Sequence, residues 1–407
     1  MSRAEALLAA LAQRGAKVAL AHGELKLTAP RGALDDGLRA ELAAAKDELV
    51  AWLSRGAART GPTFSLFFFS ADEQGPADGY AFMRACARFA DAHAFEAVWL
   101  PERHFHALGG LFPNPAVAAA ALAAETSRVG LRAGSVVPAL HDPLRVAEEW
   151  AMVDRLSGGR VGLAFASGWH ADDFVFAPAR YAERRAAAEE GMAAVRALWR
   201  GEALTRTNGA GVAIAVTTRP RPVRPELPAW LTAIGNVATC EAAGRAGANL
   251  LTCLLGQSVA ELAEKIARYR AARAAAGHVG PGRVTVMVHA FLGAEREHVR
   301  ARVRAPFMQY LGGSLELIGP LAASLGATLD LATLPAADRE ALLDHAFARW
   351  WETAALLGDE ADGRRFAAGL AAAGCDEVGC LIDWGLGEAE VLESLARIDR
   401  LAREGVA

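Results

Sequence analysis

From residue 63 onward, short apolar strand runs alternate with longer helical patterns, and this alternation constrains the fold more than any other feature. Strand-like runs fall near 63–69, 95–100, 129–137, 160–166, 228–234, 248–253, 284–291 and 377–383. Helical spacing fills most of the gaps, for example 78–93, 115–126, 143–156, 180–200, 258–276 and 388–403. Eight strands, each with a helical partner, predict a parallel α/β protein. Over about 250–350 residues the closed (β/α)8 TIM barrel fits best. A doubly wound open sheet would show a Gly-x-Gly-x-x-Gly turn after its first strand, and none follows Phe69. Two stretches exceed a simple barrel. Residues 203–225 read as a short β excursion ending in Arg219-Pro-Arg-Pro-Val-Arg-Pro225, and residues 306–375 hold extra helical material.

The first sixty residues read as a separate unit. Leucine and alanine recur at helical spacing over 2–14, and Gly15 stops that helix. Lys17–Leu20 and Glu24–Leu27 are short strand-like runs around Ala21-His-Gly23, a hairpin pattern. Asp35 then opens a helix through about Leu53. The expected division is a small α+β unit at 1–53, a linker at 54–62 and the barrel at 63–407. A unit this small lies near the lower limit of independent folding, which favours attachment over catalysis. Of four lysines (Lys17, Lys26, Lys46, Lys265), three fall in this unit, whereas arginine supplies nearly all other basic residues.

Composition excludes several classes. Forty-three basic residues against 47 acidic leave a formal charge of -4, too balanced for a nucleic-acid or anionic-membrane binder. The cysteines Cys86, Cys240, Cys253, Cys375 and Cys380 are odd in number and scattered, which points to a reducing compartment. The N-terminal stretch carries Glu5 and Gln13, too polar for a signal peptide. No apolar run reaches the ~18 residues of a membrane span. A cytoplasmic location is the expectation.

In a barrel, chemistry sits at the C-terminal strand ends. Four such ends stand out: Pro101-Glu-Arg-His-Phe-His106; Gly134-Ser-Val-Val-Pro138, followed by His141; Ala166-Ser-Gly-Trp-His170; and Ala233-Ile-Gly-Asn236, with Thr239 one turn on. Small residues there let a flat or phosphorylated ligand approach the backbone. Gly235-Asn236 leading into a helix suits a phosphate, because free N–H groups and the helix dipole point at it. Glu102, His104 and His106 are candidate acid–base groups. His104 and His106 form a His-x-His that a barrel metallohydrolase would use, but later strand ends offer little to complete it; no metal site is expected. Trp169, between Gly168 and His170, reads as a ligand-stacking ring, with plain core packing as the alternative.

The motifs FSLFFFSADE, AVWLPERHFHALGGLFPNP, RAGSVVP, HDPLRVAEEWAMVDRLSGGRVGLAFASGWHADDF, AWLTAIGN and LLTCLLGQSVAELAEKIARYR resemble the luciferase-like flavin monooxygenases. The likeness is to the subgroup found in polyketide and nonribosomal-peptide biosynthesis, and it implies a barrel of the bacterial-luciferase-like type. One departure is Val137-Pro-Ala-Leu-His-Asp-Pro143, where the family is expected to carry a second histidine. Residues 1–53 resemble the TubC-like N-terminal docking domains, on the helix–hairpin–helix order and Leu25-Lys-Leu-Thr-Ala-Pro-Arg-Gly-Ala-Leu34. In that family the hairpin receives the C-terminal tail of an upstream synthase subunit.

The resemblance implies reduced FMN supplied by a separate flavin reductase, with O2 as co-substrate. Gly134 and Ser135 would lie against the isoalloxazine through an unusual peptide bond. Ser167, Gly168, Trp169 and His170 would flank the flavin, and Gly235, Asn236 and Thr239 would hold its phosphate. The Glu102–His104 segment matches the family's reactive-site histidine, with Arg103 at the most directly aligned position. Implied partners are a carrier-protein-tethered acyl or aminoacyl substrate and a second copy of the chain in a homodimer. The outcome would be hydroxylation, N-oxidation toward an oxime, or Baeyer–Villiger insertion. A deazaflavin-dependent oxidoreductase and a non-catalytic docking scaffold are the alternatives.

Overall fold

The computed structural model describes residues 61–69, 78–312 and 336–405, and within the N-terminal segment residues 7, 11, 14, 16–21, 24–30, 33–46 and 48–49. The chain divides into two compact units, 1–60 and 61–407. Most of the helix expected over 2–14, linker residues 54–60 and the 313–335 part of the extra helical region lie outside the described residues.

In the first unit β1 (Lys17–Ala21) pairs antiparallel with β2 (Glu24–Thr28), the expected hairpin. Helix α1 (Asp36–Ala44) follows, and Asp35 caps it by accepting the Leu38 N–H at 2.8 Å. Leu7, Leu11, Ala16, Leu38, Ala45 and Leu49 form a small core of their own. Lys26 and Lys46 are exposed.

The second unit runs β3 (Thr63–Phe67), α2 (Gly79–Ala92), β4 (Phe95–Leu100), α3 (Pro115–Glu125), β5 (Gly130–Val136), α4 (Pro143–Ser157), β6 (Val161–Phe165) and α5 (Arg184–Arg200). It continues β7 (Leu204–Thr207), β8 (Ala213–Val216), β9 (Ala229–Thr232), α6 (Val237–Arg245), β10 (Asn249–Cys253), α7 (Val259–Ala275) and β11 (Val284–Leu292). It ends α8 (Arg296–Gly312), α9 (Ala336–Arg349), β12 (Leu356–Gly358), α10 (Glu360–Ala372), β13 (Glu377–Leu381) and α11 (Glu388–Glu404). Helix starts follow local chemistry. Asn114 and Asp142 cap α3 and α4 just before Pro115 and Pro143, and Ser258 with Glu261 forms a capping box on α7. Gly158 ends α4 with φ 69°.

The strand order β10-β9-β6-β5-β4-β3-β13-β11 closes on itself through β10–β11, with every neighbouring pair parallel. This is the expected eight-stranded barrel. The β excursion is the antiparallel β7–β8 ribbon, and β12 pairs with β11 beside the barrel.

The barrel floor is polar at its centre. Fully buried Glu377 accepts from Arg132 Nη1 at 2.8 Å, Arg283 Nε at 2.7 Å and Trp99 Nε1 at 3.0 Å, and from Ser65. Arg132 also lies over the rings of Trp99 and Trp230, about 5 Å from each centroid. Burial alone would raise the Glu377 carboxyl, but Arg132 and Arg283 reverse this and hold it at about 2. The stretch that reads as an apolar strand in sequence thus begins on a buried charge. The cysteines Cys375 and Cys380 beside it are free and buried.

Candidate active site

A cavity of ≈ 460 Å³ opens at the C-terminal strand ends. Glu102, Gly134, Ser135, Ser167, Gly168, Trp169, Asn236 and Thr239 line it, so residues from strands β4, β5, β6 and β9 converge as anticipated. His104, His106, His170 and Gly235 are not among the lining residues. The Gly134-Ser135 peptide is cis, and Ser135 Oγ lies 2.6 Å from Thr232 Oγ1. A side chain at Gly134 would meet Phe67 at 2.6 Å and Trp99 at 3.1 Å, so only glycine fits between these rings and the cavity.

Glu102 organises the wall next to this peptide. Its Oε2 accepts the Val137 N–H at 2.8 Å, and its Oε1 accepts from His104 Nε2 at 3.1 Å and from His141 Nε2. Burial would raise the Glu102 carboxyl, but the His104 and His141 hydrogen bonds lower it overall. Burial would lower His141, and its bond to Glu102 raises it instead. The contact thus lowers the carboxyl and raises the imidazole together. His104 does not line the cavity, and its ring bonds Glu102, which does. His106 faces elsewhere, with Nε2 2.9 Å from His170 Nδ1, and burial with Arg103 and His170 lowers its value. Asp383, at the end of β13, accepts the Phe69 N–H at 2.9 and 2.8 Å through its two oxygens.

At the other end, Asn236 caps α6, its Oδ1 accepting from Ala238 N at 2.9 Å and Thr239 N at 3.4 Å. Two of the amides expected to be free for a phosphate are thus already partnered. Sequence reading missed Arg184 and Arg185, which line the cavity from the first turn of α5. Cations at a helix N-terminus oppose its dipole, so an anion between them relieves a local cost. In sequence they look like the solvated face of a long helix.

The far wall comes from the extra helical region. Tyr310, Leu311, Trp350 and Ala354 line the cavity there, with His289 from β11. Phe307 and Tyr310 meet the His289 ring edge-on at 4.9 Å, and among the described residues its Nε2 has no hydrogen-bond partner. Burial pushes that imidazole down to about 3, so it is neutral.

The sequence profile of the luciferase-like monooxygenases matches residues 62–400, nearly all of the barrel unit. The chain belongs to the luciferase-like monooxygenase family. The profile of the TubC N-terminal docking domain matches residues 5–55 of this luciferase-like chain. It is 30% identical over 177 residues to the oxygenase component of flavin-dependent trigonelline monooxygenase from Acinetobacter baylyi, covering 42% of this chain and 48% of that protein. It is 31% identical over 170 residues to an uncharacterised Mycobacterium tuberculosis protein, covering 37% and 60%. The chain thus spans 60% or less of the length of these curated relatives.

The fold is similar to the monooxygenase RslO1 of Streptomyces bottropensis, with TM-score 0.67 and 23% identity, covering 83% of this chain and 98% of that one. It is also similar to the oxygenating constituent of 3,6-diketocamphane monooxygenase of Pseudomonas putida, solved with FMN, with TM-score 0.68 and 16% identity, covering 85% and 98%. The coenzyme F420-dependent tetrahydromethanopterin reductase of Methanopyrus kandleri shares it with TM-score 0.60 and 16% identity, covering 86% and 99%. Among the described residues no helix is long and apolar enough to cross a membrane.

Proposed function

We propose that this protein is the oxygenating component of a flavin-dependent monooxygenase, using reduced FMN and O2 on a carrier-bound acyl or aminoacyl thioester. The observation that carries this reading is the single cavity lined by Gly134–Ser135, Ser167–Trp169, Thr239 and Glu102, whose carboxylate is bonded by His141. The residues fit a flavin. Phe67 and Trp99 leave no room for a side chain at Gly134, which keeps one wall flat, and Arg184 and Arg185 supply positive charge for the phosphate. Bound there, reduced FMN supplies the electrons that activate O2.

The protein's part is to bind, orient and exclude water. Glu102 holds the His141 proton at Nε2 and fixes His104, keeping a proton store one carboxylate away from the cavity. The apolar far wall of Tyr310, Leu311 and Trp350 keeps bulk water from the reacting face. Residues 1–53 dock an upstream synthase subunit, a separate reductase delivers the flavin, and tethering raises the local substrate concentration. Homodimer pairing through barrel helices completes this reading.

Binding isotherms for FMN, reduced FMN and the deazaflavin F420 test it. Tightest binding of reduced FMN, with oxygen uptake that depends on a loaded carrier, is expected. Preference for the deazaflavin would replace the oxygenase with a hydride-transferring enzyme.

A further inference from the structure

Arg103 is only 5% exposed, yet it lines the cavity. Its Nη1 donates to Asp173 Oδ2 at 2.7 Å, and its carbon lies 5.2 Å from the Trp169 ring centroid. Asp173 is itself buried, and its other oxygen accepts the His104 N–H at 3.3 Å. Among the described residues Nε is buried with no partner, and Nη2 makes no hydrogen bond. Arginine presents a planar fork of donors, and a buried donor without an acceptor is costly. One carboxylate oxygen leaves most of the fork unsatisfied. Asp173 also cancels its charge, so the remaining N–H groups suit a neutral but strong acceptor better than a second full anion. In sequence Arg103 stands where the resembled family aligns a histidine, so this donor fork distinguishes the chain's own cavity.

We propose that Arg103 is a substrate-binding residue whose free N–H groups take the carbonyl oxygen of the substrate thioester. This rests on the reading of the substrate as an acyl thioester. Asp173 holds the fork in place, and Trp169 covers one of its faces. A carbonyl so held is fixed in position within the cavity.

The test uses the full chain and the S-octanoyl and S-octyl derivatives of N-acetylcysteamine, which differ only in the thioester carbonyl. Calorimetric titration of the wild-type protein should show the S-octanoyl probe held at least about tenfold tighter, as expected for a hydrogen bond to a charged group. Arg103→Met alone strands Asp173, so the deciding variant is Arg103→Met with Asp173→Asn, checked for folding by its thermal melt. There the preference should fall to within about twofold, whereas Asp173→Asn alone should retain it. An equal preference in wild type and double variant, or no preference in wild type, overturns the assignment. Intact-mass analysis of an octanoyl-loaded carrier protein separates the two claims. Oxygen gained without an Arg103-dependent preference removes Arg103 and leaves the monooxygenase reading. The preference without any oxygen gained removes that reading and leaves Arg103.

Discussion

His141 Nε2 donates to Glu102 Oε1, joining the loop after β5 to the end of β4 through a carboxylate that is almost wholly inaccessible. Two strand ends are thereby locked beside the Gly134-Ser135 peptide. The pair is a structural clamp whose carboxylate lines the cavity.

The clamp has a pH signature. Glu102 lies below its ordinary 4.5, so its contribution is present above that value and is lost as pH falls through its lowered one. His141 lies above its ordinary 6.5, so its contribution is full below 6.5 and is lost as pH rises through its raised value. Urea unfolding of wild type and His141→Asn should therefore differ most between pH 4.5 and 6.5, by about 1–2 kcal/mol since His141 is partly solvated. A difference independent of pH would show that the imidazole is neutral.

Glu377 should matter more to stability than any cavity residue. Glu377→Gln leaves Arg132 and Arg283 buried beside a neutral amide and should cost about 3–5 kcal/mol in denaturant titrations. Because Glu377 titrates at about 2 in the fold, this contribution is present above the ordinary 4.5 and fades as pH drops toward 2. A loss under about 1 kcal/mol would mean that the floor cluster is screened by water.

The phosphate end is tested by comparing FMN with riboflavin. Arg184→Ala should weaken reduced FMN at least about tenfold and leave riboflavin within about twofold, since only the phosphate is lost. Asn236→Ala should instead lower stability by about 1 kcal/mol through the lost α6 cap. Equal weakening of both flavins by Arg184→Ala would place the phosphate elsewhere.

Removing residues 1–53 should leave flavin binding unchanged, because the two units have separate cores. Association with an upstream synthase subunit, followed by calorimetry, should fall at least about tenfold. Unchanged association would refute the docking role.

The barrel was legible because its strands are mostly apolar runs between Gly, Pro, Asn or Asp signals, such as Asn114-Pro115 and Asp142-Pro143. Strand-end positions followed from the fold, which is why Glu102, Ser135, Ser167 and Asn236 meet in one cavity. Side-chain direction was not legible. His104 and His106 are two residues apart, yet one bonds Glu102 and the other His170. Long-range partners were equally hidden. Glu377 looked like the edge of an apolar strand because Arg132 and Arg283 lie far from it in the chain. The 306–375 insertion could be expected to form a pocket wall or an oligomer surface, but Tyr310 and Trp350 could not be picked out within it, because they follow no strand end.

The most direct test of the central claim is the intact mass of a carrier-bound acyl substrate after incubation with this protein, a flavin reductase, FMN and isotopically heavy O2. The account predicts a gain of one heavy oxygen atom on the acyl chain, dependent on reduced FMN. An unchanged mass, or a loss of hydrogen without oxygen, would contradict it.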